Sequence, residues 1–207
     1  MKVAIFGATG SVGREAVKQS LEQGHIVTAL VRDPEKVAIS SKNLVLVRGD
    51  ALDPEKVEHA IKGQDAVVCL LGAGRKGVIR SEGTRNIIRA MKNAGVRRLI
   101  CQSSLGVGDS KGSLNFWWKY VMFGLLLRPA YADHEQQEKY VMQSDLDWTI
   151  VRPAAFTDGP HTGKYLDGFS VDDKRPALKI SRADVADFVL KQLTDDRYLR
   201  KAPGLSY

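Results

Sequence analysis

The chain has 207 residues, 43% hydrophobic and 27% charged, an ordinary balance that excludes a disordered or fibrous protein and can fill one doubly wound domain. Its 31 Lys+Arg against 24 Asp+Glu leave a net charge of +7, spread without a basic block, which suits an anionic small ligand; no nucleic-acid partner is expected. The two cysteines, Cys69 and Cys101, sit in apolar runs without metal-ligand spacing, so buried reduced thiols, no metal and a cytoplasmic location are expected.

With a strand read from residue 2, no signal or transit peptide is expected, in keeping with that location. Val3–Phe6 form a short apolar strand that runs into Gly7-Ala8-Thr9-Gly10-Ser11-Val12-Gly13 and a helix to about Gln23. In that pattern Gly7 permits the tight turn, Gly10 lets the backbone approach a pyrophosphate, and Gly13 lets the helix pack closely. The free N–H groups at the helix start then face the phosphates. A second strand, Ile26–Val31, completes a βαβ unit and gives the glycine pattern the context that it needs.

Further strand-like runs follow at Leu44–Val47, Ala66–Leu71, Leu99–Gln102 and Trp148–Val151. They alternate with helices expected at Pro54–Lys62, Val78–Ala94, about Ala130–Ser144 and Arg182–Leu193. Asp33-Pro34 and Asp53-Pro54 are helix starts, and Gly24, Gly63 and Gly95 follow helix ends. Six strands with crossover helices predict an α/β fold, a Rossmann-like doubly wound parallel sheet in a single domain over residues 1–207. A small substrate-side region is expected from about 105–135 and 153–175.

The cofactor type turns on the end of the second strand, where Arg32 and Asp33 stand side by side. An acid there takes the ribose hydroxyls of NAD, and an arginine pairs with the 2′-phosphate of NADP. Asp33 has an alternative task as a cap, whereas Arg32 has none, and Lys36 can reinforce it, so NADPH is expected, with NADH weaker. Asp50 lies where an adenine edge sits, or it forms the turn at Gly49. The Leu71-Gly72-Ala73-Gly74 turn is expected near a ribose, and Arg75 after it either meets a phosphate or is solvated.

The stretch Leu114–Leu127 is apolar almost all round and too short to span a bilayer, which takes ~20 apolar residues. It is a buried helix or dimer contact, a cover over a flat ligand, or an interfacial contact through Trp117, Trp118 and Phe123.

With these pieces placed, the chain resembles the atypical short-chain dehydrogenase/reductase family of NmrA-like fold, and within it the biliverdin and flavin reductase group. The matching segments are AIFGATGSVG at 4–13, LVRD at 30–33, GDAL at 49–52, GQDAVVCLLG at 63–72 and SEGTRNIIRAMKNAGV at 81–96. QSS at 102–104, DHEQQEKYV at 133–141, RPAAFTDGPHTGKY at 152–165 and ISRADVADFVL at 180–190 complete them. The resemblance implies that Gly7, Thr9, Gly10, Ser11 and Val12 hold the pyrophosphate, Arg32 and Lys36 the 2′-phosphate, and Asp50 and Ala51 the adenine side. Leu71, Gly72 and Ala73 would meet the central ribose, and Gln102, Ser103 and Ser104 the nicotinamide end. His134 and the segment Pro153, Ala154, Ala155, Phe156 would bound nicotinamide and substrate, with Trp117 and Trp118 on the substrate side. The chain departs from the reductase at Ala155, where the family member carries a histidine, and in its longer apolar stretch before Asp133.

Short-chain dehydrogenases that reduce carbonyls rely on a Tyr-x-x-x-Lys pair, and neither Tyr120, Tyr131 nor Tyr140 is followed by that lysine. A flat acceptor that spreads the incoming charge over its rings needs no such donor, only orientation. The expectation is an NADPH-dependent reductase of a free flavin such as FMN, or of a linear tetrapyrrole such as biliverdin. Ser104 and His134 are its candidate catalytic residues, and Tyr131 with His134 could form a proton relay. Alternatives are an NADP-sensing regulator without turnover and a quinone reductase. No integral membrane segment is expected, and a monomer or weak homodimer is.

Overall fold

The computed structural model describes residues 1–72, 78–113 and 128–207. The first βαβ unit forms as its sequence dictates: β1 (Lys2–Phe6), α1 (Ser11–Glu22) and β2 (Ile26–Val31). Then come β3 (Leu44–Arg48), α2 (Pro54–Ile61), β4 (Ala66–Cys69), α3 (Ile79–Ala94) and β5 (Arg98–Gln102). After α4 (Arg128–Met142) and β6 (Asp147–Pro153) lie the short strands β7 (Ala155–Thr157), β8 (Leu166–Asp167) and β9 (Lys179–Ser181), then α5 (Arg182–Lys191) and β10 (Gly204–Ser206).

The main sheet has the order β3-β2-β1-β4-β5-β6-β10-β8 and is parallel except where β10 meets β8. All six predicted strands are present in the parallel part, and the fold class is the expected one. The helix ends fall within two residues of prediction. Strand β4 stops at Cys69 rather than Leu71, although the Leu70 N–H still donates to the Phe6 carbonyl at 2.9 Å.

Both faces of the sheet are covered, as buried parallel strands require. On one face α1 and α5 pack together over Val3, Ile5, Val27, Val68 and Ile100. On the other, α2, α3 and α4 follow one another over Ala4, Phe6, Val67, Leu99 and Ile150. Each such aliphatic side chain, fully buried, contributes about 1.5–3 kcal/mol. The caps hold as well: Asp53 Oδ1 accepts the Glu55 N–H at 3.0 Å, and Ser181 Oγ accepts that of Asp184 at 3.1 Å.

Strands β7 to β10 have no counterpart among the predicted elements, because each has only two or three residues and owes its order to partners distant in sequence. β7 and β9 form a separate parallel pair beyond the main sheet, joining Ala155 to Lys179 and Thr157 to Ser181. Among the described residues no helix is long and apolar enough to cross a membrane.

Candidate active site

A cavity of about 600 Å³ opens at the carboxyl ends of the parallel strands, where the sheet order reverses between β1 and β4. Its first end is built by the glycine turn. Gly7 has a left-handed φ of 84°, and a Cβ there would overlap the Leu70 carbonyl. A Cβ on Gly13 would overlap the Gly7 carbonyl, so that glycine is what lets α1 approach the turn. The Gly10 N–H closes the turn on the Gly7 oxygen at 2.9 Å. No side chain caps α1, and Gly10, Ser11 and Val12 line the cavity at its start.

Arg32 lines the same end, exposed, with no hydrogen bond or ion pair among the described residues. Its neighbour Asp33 accepts the Glu35 N–H at 3.3 Å as a cap and pairs with Lys36 at 3.4 Å. Lys36 therefore leans on Asp33 and stays out of the cavity wall. Asp50 lines the wall while its Oδ1 accepts the Leu52 N–H at 2.9 Å, so the turn-forming role is realised on one of its two oxygens.

The other end gathers residues from four elements. The segment after β5 keeps pairing along β6, with the Ser103 N–H on the Val151 carbonyl at 2.8 Å and the Leu105 N–H on that of Pro153 at 2.9 Å. That pairing delivers Gln102, Ser103 and Ser104 to the cavity. Gln102 Oε1 is buried without a hydrogen-bond partner among the described residues. Ser103 Oγ lies 3.5 Å from His134 Nδ1, and Ser104 Oγ donates to the Leu105 carbonyl at 3.3 Å. Tyr131 and His134 share the inward face of α4, as their spacing predicts.

His134 is neutral at physiological pH: burial first, then the nearby Arg80 charge, pull its pKa down to about 4. At that pKa the ring stands in the wall as a neutral hydrogen-bonding group rather than an imidazolium. Asp133 beside it points the other way, onto the start of α3. It accepts the Ser81 hydroxyl at 2.6 Å, the Ser81 N–H at 2.9 Å and the Arg80 N–H at 3.1 Å.

Thus Gly7, Thr9, Gly10, Ser11, Val12, Arg32, Asp50, Ala51, Leu71, Gly72, Gln102, Ser103, Ser104, His134, Pro153, Ala154, Ala155 and Phe156 all line one cavity. Ala73, Trp117 and Trp118 lie outside the described residues, as does the whole stretch 114–127. Ile79, Arg80 and Leu178 also stand in the wall, beyond the residues that the sequence pointed to. Arg80 carried a signal: it precedes Gly83, Thr84, Ile87 and Met91 on the buried stripe of α3, where a charge is out of place. Leu178 had none, since it enters through a left-handed φ of 55°. Asp109, in the 3-10 turn Gly108–Ser113, pairs with Arg152, which is 2% exposed and also grips Glu138 through two nitrogens at 2.7 and 2.9 Å.

Residues 7–196 match the model of a family described as NAD(P)H-binding. The chain belongs to the NAD(P)H-binding family. The match agrees with the sequence expectation of a protein that binds NADPH. The photosystem II assembly factor Ycf39 of Synechocystis is 30% identical over 97% of this chain, which spans 61% of that relative. ChuY, an anaerobilin reductase of Escherichia coli O157:H7, superposes with a TM-score of 0.82 at 24% identity, covering 100% of this chain and 97% of that one. A short-chain dehydrogenase/reductase of Veillonella parvula, solved with NADP, has a TM-score of 0.82 at 18% identity, covering 100% and 94%. The glycine cradle that a Cβ would fill, and the Arg32 guanidinium and Gln102 oxygen that find no partner among the described residues, all fit a bound dinucleotide.

Proposed function

We propose that this NAD(P)H-binding protein is an NADPH-dependent reductase of a flat aromatic acceptor, a free flavin such as FMN or a linear tetrapyrrole such as biliverdin. One observation carries the reading. The acceptor end is walled by Ile79, Leu105, Ala130, Pro153 to Phe156 and Leu178, and no lysine is among the described lining residues. Tyr131 lines the wall but has Glu135 four residues on, so among the described residues the site offers no phenol activated by a lysine for a nascent alkoxide. What it offers is a largely apolar slot with a few polar groups and the Arg80 guanidinium in its wall, suited to holding a flat ring.

In this reading Gly7, Thr9, Gly10, Ser11 and Val12 hold the pyrophosphate, Arg32 the 2′-phosphate, Asp50 and Ala51 the adenine side, and Leu71 and Gly72 the ribose. Bound NADPH supplies a hydride. Gln102 offers its free amide oxygen as an acceptor for an N–H donor of the ligand, while Ser103 and the neutral His134 fix each other and the ring above them. Ser104 orients the acceptor with its hydroxyl, and Phe156, 38% exposed, forms the rim. Residues 1–207 form one domain, with the substrate side drawn from about 105–135 and 153–175. The free, buried Cys69 and Cys101 support a reducing, cytoplasmic setting, and a monomer or weak homodimer suffices.

The test follows NADPH absorbance with FMN or biliverdin as acceptor, beside NADH. Acceptor-dependent oxidation that favours NADPH, altered in turnover by Ser104→Ala at nearly unchanged NADP affinity, supports the reading. Tight NADP binding without turnover on any flat acceptor overturns it. The kinship with Ycf39 favours a second reading, an NADP-loaded protein that serves a partner without turnover. That reading requires partner binding that depends on NADP, and a pull-down indifferent to the cofactor excludes it.

A further inference from the structure

We infer that Cys69 and Cys101 form a redox-active dithiol, which hydrogen peroxide entering through the coenzyme cavity converts to a disulfide joining β4 to β5. The inference rests on the coenzyme placement proposed above, and it starts from strand register. Cys69 stands directly opposite Cys101 in the parallel β4–β5 pairing. Neighbouring strands run about 4.8 Å apart, within the ~4.4–6.8 Å of Cα separation that a disulfide spans. Both thiols are free, 0% and 1% exposed, and both lie on the sheet face covered by α2, α3 and α4. They are in hydrogen-bonding contact, with Cys101 donating to Cys69.

Cysteines buried among apolar groups alone are inert. Here polar side chains form a lane from the cavity to the sulfurs. Arg80 and His134 stand in the cavity wall, and Thr84 and Gln137 sit one helical turn deeper on α3 and α4. Gln137 Nε2 donates to Thr84 Oγ1 at 3.0 Å and reaches Cys69 Sγ at 3.9 Å, while Thr84 Oγ1 lies 3.4 Å from that sulfur. Thr84 and Gln137 are fully buried, and the proposed coenzyme and acceptor contacts use neither. The Cys101 thiol, then the Thr84 hydroxyl, the Leu71 N–H and the Gln137 amide, hold the Cys69 pKa below the ordinary thiol value against burial. The contact with Cys69 and burial push that of Cys101 well up. Cys69 is therefore the attacking sulfur and Cys101 the resolving one.

The chemistry balances with peroxide as the oxidant. The Cys69 sulfur attacks one peroxide oxygen and the O–O bond breaks; the departing hydroxide takes up the thiol proton, leaving a sulfenic acid and water. The Cys101 sulfur then attacks the sulfenic sulfur. An S–S bond forms, the S–O bond breaks, and the second thiol proton leaves with the hydroxide as water. The thiols lose two electrons in all, and peroxide is reduced to two waters. Leu71 and Gly72 after Cys69, and Gln102 and Ser103 after Cys101, line the cavity, so a dinucleotide seated there covers the entry to the lane.

The experiment exposes the apo and the NADP-loaded protein to hydrogen peroxide, counts free thiols after denaturation and maps linked peptides by mass spectrometry. The apo protein is expected to lose both thiols together, to yield one peptide pair linked through Cys69 and Cys101, and to recover both thiols in dithiothreitol. NADP at about 100 times its Kd should slow the loss by roughly 100-fold, since only the empty fraction reacts. Cys101→Ala should stop at a Cys69 sulfenic acid that dimedone labels, and Cys69→Ala should label far less at Cys101. Oxidation of one thiol alone in the unsubstituted protein, or survival of both in folded apo protein, overturns the dithiol. An unchanged rate with NADP bound, its binding verified by fluorescence titration, overturns entry through the cavity. Failure of NADP to bind at all removes the coenzyme placement, while the linked peptide pair still establishes the dithiol.

Discussion

The Asp133 carboxylate on α4 takes the Ser81 hydroxyl at 2.6 Å, so that one helix caps the start of another at the edge of the cavity. Val78, the residue at the cap position of α3, has a left-handed φ of 73° and offers no side-chain cap of its own. The cap thus arrives from 52 residues away in sequence, and α3, α4 and the His134 ring are fixed as a unit.

Asp133→Ala should therefore destabilise the fold by roughly 2–4 kcal/mol, because it leaves the Ser81 and Arg80 donors and the Arg80 charge buried without their carboxylate. Burial pushes the Asp133 pKa up, but the Ser81 hydroxyl, the two N–H groups and Arg80 more than offset it, and the net shift is downward. A depressed carboxylate pKa stabilises the fold above the unfolded value and loses that contribution as pH falls through the folded one. Urea unfolding of wild type and variant should show a gap that is constant at neutral pH and closes in acid below the ordinary carboxylate range. A gap under about 0.5 kcal/mol would refute the capping role.

Little of this clamp could be read in the sequence. The apolar runs that became β1 to β6 declare themselves, and the glycine turn with Arg32 is local, so the dinucleotide end was legible from contiguous residues. Asp133 reads as one more acid in a polar helix until the fold brings it to Ser81. Arg80 is betrayed by its helical phase, whereas Leu178 and the strands β7 to β10 exist only through tertiary partners.

For His134, the folded pKa of about 4 lies below the ordinary imidazole value of 6.5. The neutral ring is favoured in the fold, so its contribution is complete above about pH 6.5 and is lost as pH falls toward 4, by up to about 3 kcal/mol. A ¹H–¹³C NMR titration of the imidazole should show a midpoint near 4. Turnover should carry no ionisation of this ring at neutral pH. A midpoint near 6.5 would restore an imidazolium acid to the mechanism.

The glycines separate into two kinds. Gly13→Ala meets the Gly7 carbonyl with its new methyl and should cost at least about 2 kcal/mol along with cofactor affinity. Among the described residues a Cβ on Gly72 would have nothing within 4 Å of it, yet this glycine lines the cavity. Gly72→Ala should leave the melting temperature within about a degree of wild type while weakening NADPH binding, because among the described residues that methyl meets nothing and it faces the ligand's cavity. Unchanged NADPH affinity in Gly72→Ala would remove this residue from the site.

Arg32 supplies the cofactor test. Arg32→Asp should weaken NADPH binding by about one to two orders of magnitude and NADH binding far less, the loss of a charge-assisted phosphate contact. Isothermal titration with both cofactors reads this directly. Equal losses would move the 2′-phosphate elsewhere and leave Arg32 as a solvated cation.

The two ends of the cavity come from different stretches of the chain. One is assembled from β1, β2, β3 and the segments that follow them and β4, the other from α3, α4, the segment after β5, the ends of β6 and β7, and Leu178 ahead of β9. On the proposed reading the second set can be changed to alter the acceptor while the first set keeps the coenzyme. Libraries confined to positions 79, 80, 104, 105, 156 and 178 should then yield altered acceptor preference on an inherited appetite for the same coenzyme.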